Sequence, residues 1–186
     1  SNGRAEGQYK ITVHYIDKNG KELVTQDYQY GYPAGSSIAE QSPNYEAFPK
    51  DIVGYTLLKI DNPVSTMDGK QITSNKSIQF VNNDQSFYYV YAADIEKANV
   101  KYIDDTTGSV LSTKNLAGEF GSTDTYRTMN TIQNYENQGY QLVTDNYPSL
   151  GVVYDQAGVI KSYEVHLTHK SIEDSESKIV KETIHY

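Results

Sequence analysis

Eighteen tyrosines and no tryptophan make the phenol ring the most abundant binding chemistry in this sequence. Such a ring lays its face on the apolar C–H face of a pyranose while neighbouring amides and carboxylates bond the sugar hydroxyls. The tyrosines freest to do this lie outside the regular strand pattern. They are Tyr28, Tyr30 and Tyr32 in a Tyr-Gln-Tyr-Gly-Tyr run, Tyr45 close behind, Tyr135 on a helical stretch, and Tyr147 and Tyr154 in a long loop. Packing beneath a loop is the competing reading for each of them.

Other side chains point to less. A glycoside hydrolase needs two carboxylates facing each other across a sugar, roughly 5–10 Å apart. The acids here are spread over turns and linkers, as at Asp17, Asp104-Asp105 and Glu173-Asp174-Ser175-Glu176, where solvation explains them. No enzyme activity is therefore expected. His166 and His169 stand three apart on a strand and so point to opposite faces, and no cysteine or His-Glu helix motif completes a transition-metal site. His14 and His185 occupy matching, outward strand positions. Calcium is a different case, because extracellular loops hold it with oxygen ligands at no fixed spacing. Asp17 with Asn19, Asn82-Asn83-Asp84, and above all Asp145 with Asp155 offer such oxygens, although none matches an EF-hand loop. No other cofactor is expected.

Net charge narrows the partners. A formal charge of −8 and a pI near 4.9 argue against nucleic acid, which selects basic surfaces. There is no apolar run long enough to cross a bilayer and no polybasic cluster, so this chain is not expected to insert in a membrane. The absence of cysteine fits several compartments. No signal peptide is visible, and Ser1-Asn2-Gly3 reads as a cloning scar, so a targeting segment can lie upstream.

Binding side chains need a frame, and the frame is written twice. Val13-His14-Tyr15-Ile16-Asp17 with Gly20 and Leu23 returns as Val100-Lys101-Tyr102-Ile103-Asp104 with Gly108 and Leu111. Gly54-Tyr55-Thr56-Leu57 returns as Gly139-Tyr140-Gln141-Leu142 at nearly the same offset, and Thr183-Ile184-His185-Tyr186 echoes Thr12-Val13-His14-Tyr15. This is the signature of a unit within a tandem array. Period-two alternation predicts strands at 9–15, 21–30, 54–60, 77–81 and 87–92, then at 99–104, 110–117, 140–144 and 163–168. A short helix is expected at 36–40 behind a Ser36 cap, and a better one at 128–137, stopped by Gly139. Tyr15, Tyr55, Tyr89, Tyr102, Tyr140 and Tyr163 belong to this pattern and are assigned to packing. Two hairpins on one helix make a β-grasp, so the expected fold is α+β: two tandem ubiquitin-like β-grasp domains, each a mixed sheet with one helix, in an elongated chain. Their boundaries are set at 1–93 and 94–170, with a polar joint at 93–97, and 171–186 as linker and start of the next copy.

The ordered series Val100-x-Tyr102-x-Asp104, Gly108, Leu111, Gly118, Gly121 and Gly139-Tyr140-x-Leu142 resembles the MucBP domain of lactobacillar mucus-binding (Mub) repeats. The first half resembles the ubiquitin-like domain that precedes it in long Mub repeats. The resemblance implies an extracellular adhesin module, anchored to a Gram-positive cell wall through other segments, whose partners are mucin glycoproteins and adjacent repeats of the same protein. Host immunoglobulin is a further implied partner. Protein binding through a sheet edge and a plain spacer role are the two alternatives.

Overall fold

The computed structural model describes residues 3–59, 61 and 67–170; the polar linker, its acids and the third-copy echo with His185 lie outside the described residues. The chain is mostly β-sheet with a single helix among the described residues. It divides into two compact units, residues 1–94 and 95–186.

The first unit contains β1 (Tyr9–Asp17), β2 (Glu22–Gly31), β3 (Tyr45–Ala47), β4 (Tyr55–Leu57), β5 (Lys70–Gln71), β6 (Lys76–Ile78) and β7 (Gln85–Ala93). Its main sheet runs β2-β1-β7-β4, with β5 also on β7, and β1 and β7 are parallel at the centre. Alternation decides which side is buried. Ile11, Val13 and Tyr15 of β1 and Phe87, Tyr89 and Tyr91 of β7 share one core, closed by Ala47, Ile78 and Phe80 around the small β3–β6 ribbon.

The helix expected at 36–40 does not form; a bend over 37–39 occupies it. Ser36 does act as a cap, its Oγ accepting from the Ile38 and Ala39 N–H groups at 3.2 and 3.3 Å. The nucleus is not propagated, because Ser42 is tied back to Tyr32 through two bonds of 3.0 and 2.8 Å and Pro43 follows. A single turn without further hydrogen bonds does not offset its nucleation cost. The expectation of one helix per unit is thus corrected, and the β3–β6 ribbon with Phe80 covers this sheet instead.

The second unit contains β8 (Ile95–Asp104), β9 (Ser109–Glu119), α1 (Met129–Asn137), β10 (Gln141–Asp145) and β11 (Ile160–Thr168). Strand order is β10-β11-β8-β9, again with a parallel central pair, β8 and β11. Ala98, Val100 and Tyr102 meet Val165 and Leu167, with Ile132 from α1 and Tyr147, Val152 and Tyr154 from the loop between β10 and β11. Helix α1 ends as the sequence requires. The Gly139 N–H donates to the Glu136 carbonyl and the Tyr140 N–H to the Tyr135 carbonyl, while the Tyr135 and Tyr140 rings meet edge to face at 5.6 Å. That is the Schellman pattern with its apolar contact.

Within the polar stretch 93–97, β7 runs to Ala93 and β8 starts at Ile95, with Asp94 alone between them, where the two units divide. Glu96 continues the inward alternation of Ala98, Val100 and Tyr102; it is buried and accepts the Gly158 N–H at 2.9 Å.

Candidate functional site

Residues two apart on a strand share a face, so Tyr28 and Tyr30 of β2 point the same way. Register places them opposite Thr12 and Lys10 of β1, on the face turned away from Ile11 and Val13. The two rings meet edge to face at 5.8 Å. Tyr28 is 56% exposed, whereas Tyr30 is half-buried. The Lys10 ammonium stands 5.3 Å from the Tyr28 centroid and 5.8 Å from that of Tyr30. Arg4 covers Tyr30 at 5.0 Å. Asp84 fixes this corner by accepting two bonds from Arg4, at 3.0 and 2.9 Å, and the Lys10 N–H at 2.8 Å. Those bonds hold its carboxyl below the usual range, the Arg4 bond foremost.

The same face continues across the sheet. His14 of β1 lies flat on Tyr88 of β7, centroids 4.4 Å apart and planes within 9°. Burial lowers the His14 pKa, against the pull of Glu22, whose carboxylate is 3.9 Å away. The outer face therefore presents Tyr28 as an open ring, cations beside it and a stacked His14–Tyr88 pair. An exposed ring with an adjacent cation can stack a sugar and bond its oxygens. His14 is accordingly a stacked, half-buried residue rather than a freely outward one.

The other candidate tyrosines are distributed differently. Tyr32 is half-buried, with its N–H given to Ser42. Tyr45 packs on the first core, and burial pushes its phenol pKa up. Tyr135 packs on the second core and shares a 2.5 Å hydrogen bond with the Ser112 hydroxyl. Tyr147 and Tyr154 are core residues, 6% and 2% exposed, so their rings offer no sugar platform. The Tyr147 hydroxyl accepts the Val152 N–H, and the Tyr154 hydroxyl donates to Asp124 at 2.5 Å. Their loop folds inward because it supplies the hydrophobic cover that the short helix, with Ile132 alone buried, leaves incomplete. Lys10, His14 and Tyr88 entered the site through cross-strand register, and Arg4 through its bonds to Asp84, neither of which sequence spacing gives.

Loop acids are engaged locally. Asp17 Oδ1 accepts the Asn19 and Lys21 N–H groups, closing the β1–β2 turn. Asp145 accepts from the Thr128 hydroxyl at 2.5 Å and the Tyr147 N–H at 2.9 Å, while Asp155 pairs with Lys161 at 2.6 Å. Among the described residues, no group of three or more His, Asp or Glu side chains is placed to hold a metal ion. His166 bridges Asp105 and Glu164 at 2.6 and 2.8 Å, and His169 sits edge-on to Tyr140 with Nδ1 2.9 Å from Asp104. The two rings thus serve different partners.

Comparison with known proteins places this architecture. Residues 10–92 match the family model described as the MucBP domain, and residues 96–169 match one described as a mucin binding domain. The MucBP domain description thus falls on the first unit. Internalin J of Listeria monocytogenes serotype 4b (strain F2365) is 30% identical over 129 residues, which is 67% of this chain and 12% of the relative. Internalin J of serovar 1/2a (strain ATCC BAA-679 / EGD-e) is 31% identical over 130 residues, 67% of this chain and 13% of the relative. The chain therefore spans about an eighth of the curated relatives it matches. Among solved structures, the type 2 repeat of the mucus binding protein MUB from Lactobacillus reuteri is 33% identical, covering 40% of each chain with a TM-score of 0.38. The crystal structure of Mub-RV is 39% identical over 40% of this chain and 39% of that one, also with a TM-score of 0.38. With one such domain on each of its units, the chain belongs to the MucBP family.

Proposed function

We propose that this chain is a non-catalytic cell-surface adhesin repeat that binds mucin glycans through weak, multivalent sites. The observation that carries the reading is the open Tyr28 ring with Lys10 at 5.3 Å on the outer face of the first sheet. The family, one of whose two matching models is described as a mucin binding domain, supplies the ligand class. Each unit is read as a β-grasp variant, for which the shared parallel central pair speaks, with the helix replaced by a ribbon in the first. Tandem copies on an extracellular stalk, anchored to the wall by segments outside this sequence, would raise the effective concentration of individually weak sites. Single-site affinity near millimolar, about −4 kcal/mol, then becomes useful through avidity gains of a hundredfold or more. The proposed binding takes no cofactor.

A second reading is favoured by one observation: β9 is an eleven-residue edge strand of the second sheet. Such an edge can add a strand from an immunoglobulin or another protein. A glycan array probed with this repeat and with two or more copies of it joined in tandem separates the readings. Glycan signals that grow strongly with copy number support the adhesin; silence on the array with capture of immunoglobulin overturns it in favour of the protein-binding module.

A further inference from the structure

Outside the outer-face patch, the first unit carries an open cleft of about 450 Å³ between β5, β6 and the start of β7. That size lies within the range of small-ligand sites, about 300–1,000 Å³. Its floor is apolar, from Ile72, Ile78 and Phe87, which are also core residues. Strand alternation puts a lysine two positions before each isoleucine of the floor, on the same side: Lys70 before Ile72, Lys76 before Ile78.

The charge of the lining runs against that of the chain. Acids outnumber bases by 24 to 16 in the sequence, yet no Asp or Glu lines the cleft and two lysines do. Glu46 of β3, which accepts from the hydroxyl of the lining residue Ser77 at 2.9 Å, is not itself part of the lining. Among the described residues neither Lys70 nor Lys76 has an ion-pair partner, whereas Lys50 pairs with Asp27 and Lys161 with Asp155. Two cations without a counter-charge, over an apolar floor, make a local positive potential that an anion relieves.

The polar groups are held in place. Gln85 donates its Nε2 to the Gln79 carbonyl at 3.0 Å, which leaves its Oε1 as an acceptor for a ligand hydroxyl. The turn between β5 and β6 is pinned by the Tyr89 hydroxyl, which donates to the Ser74 carbonyl at 2.9 Å. A site fixed in this way loses little order on binding.

We propose that this cleft binds one sugar unit bearing a carboxylate or sulfate ester, with the anion on Lys70 and Lys76, the ring over the Ile78–Phe87 floor and its hydroxyls on Gln79 and Gln85. The proposal rests on the glycan-binding reading but not on the Tyr28 patch. It also gives a net-negative module a place where acidic mucin chains are attracted rather than repelled.

The test is heteronuclear NMR titration of the chain with the methyl glycoside of glucuronic acid, galactose 6-sulfate, methyl galactoside and inorganic sulfate. The expected result is saturable shifts at residues 70–87 with at least one acidic sugar, and binding about tenfold weaker with the neutral sugar and with sulfate alone. Which acidic sugar acts identifies the anion as carboxylate or sulfate ester. Lys70→Gln with Lys76→Gln should abolish the preference; both lysines are exposed, so the fold should persist, as the amide spectrum checks. Tyr28→Ala should leave it intact. Equal shifts with the neutral sugar or with bare sulfate, absence of shifts at 70–87, or an unaltered preference in the double variant would each overturn the proposal. Parallel capture on immobilised mucin separates the two readings: mucin binding that persists without cleft shifts removes the cleft alone, while a chain that binds neither removes both.

Discussion

Gly118 of β9 lies against the ring of Tyr154, so closely that a Cβ added there would stand 2.5 Å from Cε2 and 2.8 Å from Cδ2. Gly31 of β2 lies under Phe80 in the same way, with three ring carbons at 2.5 to 2.7 Å. The offset that carries Tyr15 onto Tyr102 carries Gly31 onto Gly118. What the duplication repeats here is a seat for an aromatic ring on a bare strand backbone. Tyr154 cannot step aside, being 2% exposed and tied to Asp124. Gly118→Ala is expected to destabilise the second unit by about 1–3 kcal/mol through overpacking. Urea denaturation followed by near-ultraviolet tyrosine signals checks this, and an unchanged midpoint would contradict it.

The helix terminus gives a cleaner backbone test. Gly139 has φ of 102° with nothing within 4 Å of its added Cβ, so replacing it meets a conformational penalty without a packing one. Gly139→Ala should cost about 1 kcal/mol and Gly139→Asn less, because Asn tolerates the left-handed region. Amide exchange of residues 129–137 reads the difference; equal protection in both variants would argue against the Schellman assignment.

Acid should act on the two units in opposite directions. The His14 pKa is lowered from 6.5, chiefly by burial, so its contribution to the first unit is present above that value and lost as pH falls through the folded one. The His166 pKa is raised from 6.5, by Asp105 first and Glu164 second. Its contribution to the second unit is therefore fully present below 6.5 and lost as pH rises through the folded value. Between about pH 7.5 and 5.5 the first unit should weaken and the second strengthen, as measured by residue-resolved amide exchange corrected for intrinsic rates. His14→Gln and His166→Gln should each flatten the trend of their own unit, and parallel behaviour of the two units would refute the assignment.

Mucin binding itself should strengthen in acid. Mucins carry sialate and sulfate, and a module of net charge −8 is repelled by them over distances beyond the lysine cleft. Repulsion fades as carboxylates protonate towards pH 5, and screening in high salt should reduce the dependence on pH. A flat low-salt binding curve between about pH 7.5 and 4.5 would remove the idea.

Long alternating stretches were legible because a strand that buries one face must repeat apolar residues every second position. Ile11, Val13 and Tyr15 in the first unit and Val100 and Tyr102 in the second show this directly. Gly139 was legible as a helix stop because few other residues tolerate that φ. The two- and three-residue strands β5 and β3 carry no period, and the Ser36 cap looks the same in sequence whether or not a helix follows it. Tyr147 and Tyr154 read as loop residues because nothing in their spacing shows that the loop turns inward to complete the core. At the site, Tyr28 and Tyr30 stand out as an unrepeated aromatic run, but Lys10 and Arg4 join them only through β1–β2 pairing and the Asp84 anchor.

The most direct test of glycan recognition by the outer face is surface plasmon resonance on immobilised mucin, comparing this chain with Tyr28→Ala. Tyr28 is exposed and supports no core contact, so the variant should keep its stability while losing about 1 kcal/mol of binding, roughly fivefold in affinity. Tyr28→Phe, which keeps the ring, should retain most of the binding. Wild-type affinity in the folded Tyr28→Ala variant would contradict the account.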